Sequence, residues 1–200
     1  MSENVTIIIP TRDRPRDLEI TVQTVIRQTA LPSELIIVDQ SDSPESQSAV
    51  ENTLLSAEPP SRSTIQLEYV RDTKISGGAV ARNRAMAIAK GSIWLFLDDD
   101  VELEPDFIEQ ILNTYREHRD AVGVSGVVTN YPKPGLSFRL WSRLFCTGPF
   151  WDERQPIYWS ATQGERGKPQ RVRKFGAGLM SFRADAIRHQ IGRASCRERV

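Results

Sequence analysis

Three consecutive aspartates, Asp98–Asp100, follow the apolar run Trp94–Leu97 and are candidate ligands for a cation. The apolar run predicts a buried strand, and adjacent carboxylates repel one another unless a cation or several donors lie nearby. Alternate side chains of an extended segment point the same way, so we expect Asp98 and Asp100 to face one site and Asp99 to turn aside. Two convergent carboxylates suit Mg²⁺ or Mn²⁺, which takes its other ligands from water and phosphate. The alternative is an acidic loop that favours the positive end of the next helix.

Polar residues and glycines also occur where other predicted elements begin or end. Asp39 follows an apolar run, where a carboxylate can accept a hydrogen bond from a nucleobase N–H or a ribose hydroxyl; the alternative is a turn that Asp39 stabilises. A glycine pair precedes the helix that carries Arg82 and Asn83, which is a weak sign of a phosphate site, and solvation explains both side chains equally well. The segment FGAG, Phe175–Gly178, allows either a close backbone approach to a ligand or a plain tight turn.

Strands and helices alternate along the first two thirds of the chain. Five apolar runs predict strands, at Val5–Pro10, Glu34–Asp39, Ile65–Val70, Ser92–Asp98 and Ala121–Val128. Helical patterns separate them, and the third helix is expected to run from the glycine pair to Gly91. This alternation predicts a parallel α/β sheet with helices on both faces. Because ligands of such sheets bind beyond the carboxyl ends of the strands, we expect the polar strand ends to meet at one crevice.

The composition excludes several classes of function. The 26 basic and 26 acidic residues balance, so bulk attraction to nucleic acid or to an acidic membrane is not indicated. No apolar run reaches the length of a membrane span, and the N-terminus lacks a secretion signal. We therefore expect a protein that binds no nucleic acid, has no membrane span in this chain and is not secreted. Two cysteines, Cys146 and Cys196, form neither a disulfide framework nor a metal-binding spacing.

Four segments, in this order, resemble the family 2 glycosyltransferases: VTIIIPTRDRP, LIIVDQSDS, GGAVARNRAMAIAKGSIWLFLDDDVELEPDFI and FGAGLMSFRADAI. The resemblance extends over Val5–Ile187, and the combination is more specific than any single segment. It implies an α/β fold of the GT-A (Rossmann-like) type, which is a sandwich with a central, mostly parallel sheet flanked by helices. The resemblance also implies that this fold is incomplete at the C-terminus.

The resemblance implies roles for individual residues. Those that it places at the nucleotide sugar are Pro10, Thr11, Arg12, Asp39, Arg82, Asn83, Asp98 and Asp99. Within this set, Asp39 reads the base. Asp98 and Asp100 match the metal-binding D-x-D pair for Mn²⁺ or Mg²⁺, with Asp100 as the direct ligand and Asp98 nearer the ribose or the waters of the metal. Gly176 and Gly178 match positions that shape the acceptor side.

The implied activity is that of a hexosyltransferase-like enzyme, which moves a sugar from a nucleoside diphosphate to an acceptor hydroxyl with inversion. The cation neutralises the leaving diphosphate, and a general base accepts the proton of the hydroxyl. Family members usually carry this base in an acidic segment after the later glycine turn, and no such segment follows Ala186. We therefore expect the catalytic base to lie beyond Gln190 in a longer parent, and this chain to bind donor weakly and to transfer sugar poorly.

The expected partners are a nucleoside diphosphate sugar and a saccharide or lipid-linked acceptor, in the synthesis of cell-envelope polysaccharide. The expected location is cytoplasmic, either free or at the inner face of the membrane. Residues 1–129 are predicted to bind the donor, and residues 130–190 to form part of the acceptor side. The segment Ile191–Val200 resembles the translation of a short-read sequencing adapter and is interpreted as a non-native tail; a natural basic C-terminus is the alternative.

Other functions compete with this interpretation. A nucleotidyltransferase also binds a nucleotide through acidic metal ligands, but it usually has a glycine-rich basic loop after its first strand, where this chain has TRDRPRD. A non-catalytic module that binds nucleotide sugars is also consistent with the sequence, because such a module needs no catalytic base. A dinucleotide dehydrogenase is excluded, because the glycine fingerprint after the first strand is absent.

Overall fold

The computed structural model describes residues 3–128, 135–137, 169, 171 and 178–188, without the side chain of Arg62. Its strands are β1 (Val5–Thr11), β2 (Glu34–Asp39), β3 (Gln66–Arg71), β4 (Ile93–Leu97), β5 (Gly123–Ser125) and β6 (Leu179–Arg183). Its helices are α1 (Pro15–Ile26), α2 (Glu45–Leu55), α3 (Ser61–Thr64), α4 (Gly78–Met86), α5 (Phe107–Glu117) and α6 (Ala184–Arg188). The first four predicted strands are confirmed, each to within one residue at either end.

The strands of the described residues form one mixed sheet in the order β3-β2-β1-β4-β6-β5. Strands β1 to β4 run parallel, β6 pairs antiparallel with β4, and β5 pairs antiparallel with β6. The predicted central, mostly parallel sheet flanked by helices is therefore confirmed. The fifth predicted strand, Ala121–Val128, is too long, since only Gly123–Ser125 forms a strand. It lies at the edge of the sheet and pairs with β6.

The sheet is buried on both faces. Along β1, Ile7 and Ile9 point into the core beneath α1, α2 and α5, whereas Ile8 points into the opposite core beneath α4 and α6. This alternation is the two-residue period of a strand, and burial on both faces explains why the parallel strands are continuous apolar runs. Full burial of each isoleucine contributes about 1.5–3 kcal/mol relative to an exposed side chain. The two cores thereby fix the strand ends that carry the polar residues.

Helix α4 is shorter than predicted, because it ends at Met86 and not at Gly91. The chain at Gly91 turns toward β1, where the Gly91 N–H donates a hydrogen bond of 2.9 Å to Thr6 Oγ1. A Cβ added to Gly91 would meet Thr6 Oγ1 at 2.6 Å, and the backbone oxygen of Asn4 and nitrogen of Thr6 at 2.8 Å. Glycine is therefore required here by the close approach of β1, and not as a helix stop.

The substitution Gly91→Ala should lower the free energy of unfolding by about 1–3 kcal/mol, because the backbone of β1 must shift to admit the methyl group. Urea denaturation followed by circular dichroism measures this loss. The matched control is Gly135→Ala, whose Cβ would meet, among the described residues, only Ser137 Oγ, at 4.0 Å. If Gly91→Ala and the wild type unfold at the same urea concentration, the packing described for Gly91 is wrong.

The chain divides into two compact units, residues 1–125 with 177–200 and residues 126–176. The whole sheet belongs to the first unit. The functional boundaries predicted after residues 129 and 190 stay predictions. Cys146, Gly176 and the tail from residue 191 to residue 200 lie outside the described residues. None of the helices among the described residues combines the length and the hydropathy that a membrane span requires.

Candidate functional site

A cleft of about 390 Å³ opens where β1 and β4 end. Its lining also includes the residue after β2 and the first turns of α4, so four elements contribute to one site. The lining residues are Pro10, Thr11, Arg12, Arg14, Gln40, Gly78, Arg82, Asp98, Asp99 and Asp100. Those predicted from the sequence are Pro10, Thr11, Arg12, Arg82, Asp98, Asp99 and Asp100. The structure thus brings the ends of separate strands together at one crevice, as expected for a parallel sheet.

The three aspartates follow strand β4 and do not belong to it, although their alternation was predicted from the period of a strand. Strand β4 ends at Leu97, so Asp98–Asp100 form a turn to which the two-residue period of a strand does not apply. The side chains of Asp98 and Asp100 are 43% and 53% exposed, whereas that of Asp99 is 11% exposed. Asp99 is turned inward, as expected, but it still lines the cleft. All three carboxylates therefore belong to one acidic turn.

Two arginines supply the positive charge that the adjacent carboxylates need. Arg14 Nη1 lies 3.0 Å from Asp100 Oδ2 and 3.3 Å from Asp99 Oδ1. Arg82 Nη2 lies 2.7 Å from Asp98 Oδ1, and its Nε atom is buried without a hydrogen-bond partner among the described residues. The charges of Asp99 and Asp100 raise the pKa of Arg14. Arg14 was not predicted from the sequence, in which only Pro10, Thr11 and Arg12 of this segment were assigned to the site.

Asp99 is the inner member of the acidic turn. Its carboxylate accepts a hydrogen bond of 2.7 Å from Thr11 Oγ1 at the end of β1. Burial raises the pKa of Asp99, while the hydrogen bond from Thr11 and the charge of Arg14 oppose that shift. This contact joins the ends of β1 and β4, so Asp99 positions the turn that presents its two more exposed neighbours.

Polar side chains on α1 and just after its C-terminus hold the chain that follows the acidic turn. Thr21 Oγ1 lies 3.0 Å from the carbonyl oxygen of Asp99 and accepts a hydrogen bond of 3.1 Å from Val101 N–H. Thr24 Oγ1 accepts from Leu103 N–H at 3.2 Å. Gln28 donates to the Glu104 carbonyl at 2.8 Å and accepts from Ile108 N–H at 3.0 Å. Thr21 and Thr24 lie three residues apart on one face of α1, and Gln28 follows the end of the helix at Ile26. This polar pattern in the sequence was overlooked.

Asp39 does not line the cleft. Its side chain is fully buried at the end of β2, where Oδ1 accepts hydrogen bonds from the Ser41 N–H, at 2.8 Å, and from the Ser41 hydroxyl. Tyr69 donates its hydroxyl proton to Asp39 Oδ2 at 2.6 Å, and burial with this hydrogen bond raises the pKa of Tyr69. The neighbouring Gln40 lines the cleft and accepts a hydrogen bond of 2.9 Å from Gly77 N–H. The base-reading role of Asp39 stays a prediction.

Two other predicted residues lie beside the cleft lining. Asn83 is exposed on α4 and is not among the lining residues. Gly178 precedes β6 with a φ of +106°, and its carbonyl oxygen accepts a hydrogen bond of 3.2 Å from Asp98 N–H. A Cβ added to Gly178 would lie 2.6 Å from Asp98 Oδ2. Gly178, predicted on the acceptor side, therefore also contacts the acidic turn.

The family model for "Glycosyl transferase family 2" matches residues 6–186. The chain belongs to glycosyl transferase family 2. This membership confirms the resemblance noted in the sequence. Among curated relatives, this family 2 chain is 24% identical over 202 residues to a glucosyl-dolichyl phosphate glucuronosyltransferase of Haloferax volcanii, covering 94% of the chain and 54% of the relative. It is 31% identical over 134 residues to the uncharacterized protein y4gI of Sinorhizobium fredii, covering 64% of the chain and 13% of the relative.

Solved structures share the fold of this family 2 chain. The mannosyltransferase PcManGT from Pyrobaculum calidifontis, in complex with GDP-Man and Mn²⁺, superimposes with a TM-score of 0.65 at 19% identity, covering 95% of this chain and 47% of that one. TarS from S. aureus gives a TM-score of 0.51 at 20% identity, covering 67% of this chain and 23% of that one. The predicted GT-A fold is thereby confirmed. The chain spans about half the length of the Haloferax and Pyrobaculum proteins.

Proposed function

We propose that the cleft binds a nucleoside diphosphate sugar, and that the parent enzyme transfers the sugar to an acceptor hydroxyl with inversion. The observation that carries this proposal is the convergence of the acidic turn, Thr11 and three arginines at one crevice beyond the strand ends. The fold neighbours support it, because PcManGT was solved with GDP-Man and Mn²⁺ and TarS with UDP-GlcNAc. A saccharide or a lipid-linked compound is the proposed acceptor, the latter in keeping with the dolichyl phosphate in the name of the Haloferax relative.

The acidic turn fits a hard divalent cation, Mn²⁺ or Mg²⁺. Its donors are carboxylate oxygens, and the half-exposed Asp98 and Asp100 both line the cleft. No group of three or more His, Cys, Asp or Glu side chains within the described residues is arranged to hold a metal alone. A cation bound here would therefore complete its shell with water and phosphate oxygens, which is the usual habit of Mg²⁺. When bound, the cation neutralises the charge that develops on the leaving diphosphate.

The other residues of the cleft have roles that their chemistry supports. Arg12 and Arg82 provide guanidinium groups that can pair with phosphate oxygens. Thr11 holds Asp99, so that the acidic turn keeps its shape before the ligand arrives. In this proposal the catalytic base lies beyond Gln190 in the parent enzyme, and this chain carries the residues that bind the donor.

Isothermal titration of the chain with UDP and with GDP tests the donor site. We expect one of the two to bind in the presence of Mn²⁺ and neither to bind measurably in EDTA. Equal binding with and without Mn²⁺ would contradict a metal-dependent site. For the parent enzyme, release of a nucleoside diphosphate from a nucleotide sugar supports transfer, whereas release of pyrophosphate from a nucleoside triphosphate and a sugar phosphate would identify a nucleotidyltransferase.

The substitution Tyr69→Phe should weaken nucleotide binding about fivefold, because one hydrogen bond contributes about 1 kcal/mol. The variant removes the donor that fixes Asp39 Oδ2 and leaves the ring in place. Titration calorimetry in Mn²⁺ measures the change. The matched control is Tyr115→Phe, which loses a buried contact of 3.1 Å with Ser181, and neither of these residues lines the cleft. An equal loss of affinity in both variants would show that Asp39 has no special role in binding.

A further inference from the structure

We infer that Arg14 is the internal counter-ion of the acidic turn, and that a divalent cation displaces its guanidinium from Asp99 and Asp100. The inference rests on the proposed function, because it takes the acidic turn as the cation site. One nitrogen, Arg14 Nη1, contacts both carboxylates, at 3.3 Å and 3.0 Å. A guanidinium nitrogen in that position occupies the carboxylate oxygens with which a divalent cation would bind.

The fold places Arg14 at the acidic turn. The residue before it, Asp13, has a φ of +55°, a left-handed conformation that aspartate tolerates better than most residues. The Asp13 N–H donates a hydrogen bond of 2.7 Å to Ser41 Oγ, and Ser41 is itself bonded to Asp39. Pro15 then starts α1 directly after Arg14. Ser41, which follows β2, therefore holds the connection between β1 and α1 in place. This connection positions the Arg14 side chain next to the residues that follow β4.

Exposure distinguishes Arg14 from the other arginine at the acidic turn. The side chains of Arg14 and Asp100 are 51% and 53% exposed, so water and salt screen their attraction. The Arg82 side chain is only 20% exposed, and its contact with Asp98 is shorter, at 2.7 Å. The Arg14–Asp100 pair is thus the more exposed and the longer of the two, and it is the one that a cation of double charge replaces. Arg82 stays on Asp98, which leaves Asp100 as the carboxylate freed for direct coordination.

The displaced guanidinium of Arg14 can take a second role, in binding the diphosphate. Arg14 lines the same cleft that receives the diphosphate, and a guanidinium released from carboxylates can pair with phosphate oxygens through charge-assisted hydrogen bonds. Arg14 would then exchange one anionic partner for another when the cation and the nucleotide bind together. Its removal should therefore have opposite effects on two measurable affinities, that for the cation alone and that for the nucleotide in the presence of the cation.

The test is a titration of Mn²⁺ alone, in which electron paramagnetic resonance counts the free ion, on the wild type, Arg14→Gln and Arg16→Gln. Arg16 is exposed on α1 outside the cleft lining, so its substitution controls for the loss of one charge nearby. We expect Arg14→Gln to bind Mn²⁺ about tenfold more tightly than the wild type. Arg16→Gln should stay within about twofold of the wild type, because a longer distance and salt screen its charge.

Two further measurements make the result decisive. The rise in melting temperature on adding Mn²⁺ should be larger for Arg14→Gln than for the wild type, because the variant lacks its internal counter-ion. The affinity for UDP or GDP at saturating Mn²⁺ should fall in Arg14→Gln. If Arg14→Gln binds Mn²⁺ no more tightly than the wild type, or if Arg16→Gln gains as much, the inference is wrong while the proposed donor site stands. If no variant binds Mn²⁺, with or without nucleotide, both are wrong.

Discussion

Replacing Asp98 and Asp100 together by asparagine should lower the Mn²⁺-dependent affinity for nucleotide by at least about 100-fold, because losing even an outer-shell partner of a bound metal typically costs 10–100-fold. Asparagine keeps the shape of each side chain but removes the charge that a hard cation requires. Arg82, without its partner Asp98, and Arg14, left with Asp99 as its carboxylate partner, would then repel the cation as well. Both aspartates are about half exposed, so the fold should tolerate the exchange, with a change in stability of about 0.5 kcal/mol or less for each site.

Titration calorimetry with the nucleotide in Mn²⁺ measures the loss of affinity, and urea denaturation measures the stability. Glu102→Gln is the matched control, because it removes one exposed carboxylate that follows the acidic turn and does not line the cleft. We expect its affinity to stay within about twofold of the wild type, since surface charges are screened over a Debye length of about 10 Å. If the double variant binds nucleotide as tightly as the wild type, the acidic turn is not the cation site.

The second large effect is expected for Gly178→Ala. Its φ of +106° is unfavourable for any residue with a Cβ, and the new methyl group would lie 2.6 Å from Asp98 Oδ2. We expect a loss of about 1–3 kcal/mol in stability from the backbone conformation. The methyl group should also push the Asp98 carboxylate away from Arg82. We expect this displacement to weaken Mn²⁺-dependent nucleotide binding by about tenfold, which is typical when a residue near a bound metal is misplaced.

A double-mutant cycle separates the two causes. Combining Gly178→Ala with Asp98→Ala removes the carboxylate that the methyl group meets, so the stability loss of the pair should be smaller than the sum of the single losses. The strain of the backbone remains in the double variant. Strictly additive losses of stability would show that Gly178 and Asp98 do not contact each other as described.

Much of the scaffold could be predicted from local patterns. The apolar runs of β1 to β4 are buried on both faces, which makes them continuous and easy to recognise in a sequence. The carboxyl ends of parallel strands meet at one edge, so the convergence of Thr11 with Asp98–Asp100 followed from the topology alone. The pairing of β6 between β4 and β5 could not be predicted in the same way. In this pairing Leu97 lies beside Leu179, which is far away along the chain. The local periodicity of a sequence carries no information about such long-range contacts.

The site was less predictable than the scaffold, because side-chain contacts depend on exact directions. The alternation assumed for Asp98 and Asp100 required a strand that continued past Leu97, and the chain turns there instead. The burial of Asp39 follows from its pairing with Tyr69, which lies on a neighbouring strand and has no sequence signature of its own. Arg14 is one of many charged residues in the sequence, and only the left-handed turn before it brings it to the acidic turn.

The most direct measurement is a crystal structure of the chain grown with Mn²⁺ and UDP or GDP, in which anomalous scattering locates the manganese. The account predicts a manganese ion in the cleft, bound by the carboxylate of Asp100 and by a phosphate oxygen of the nucleotide. Manganese or nucleotide bound at another surface, with the acidic turn still paired only to Arg14 and Arg82, would contradict it.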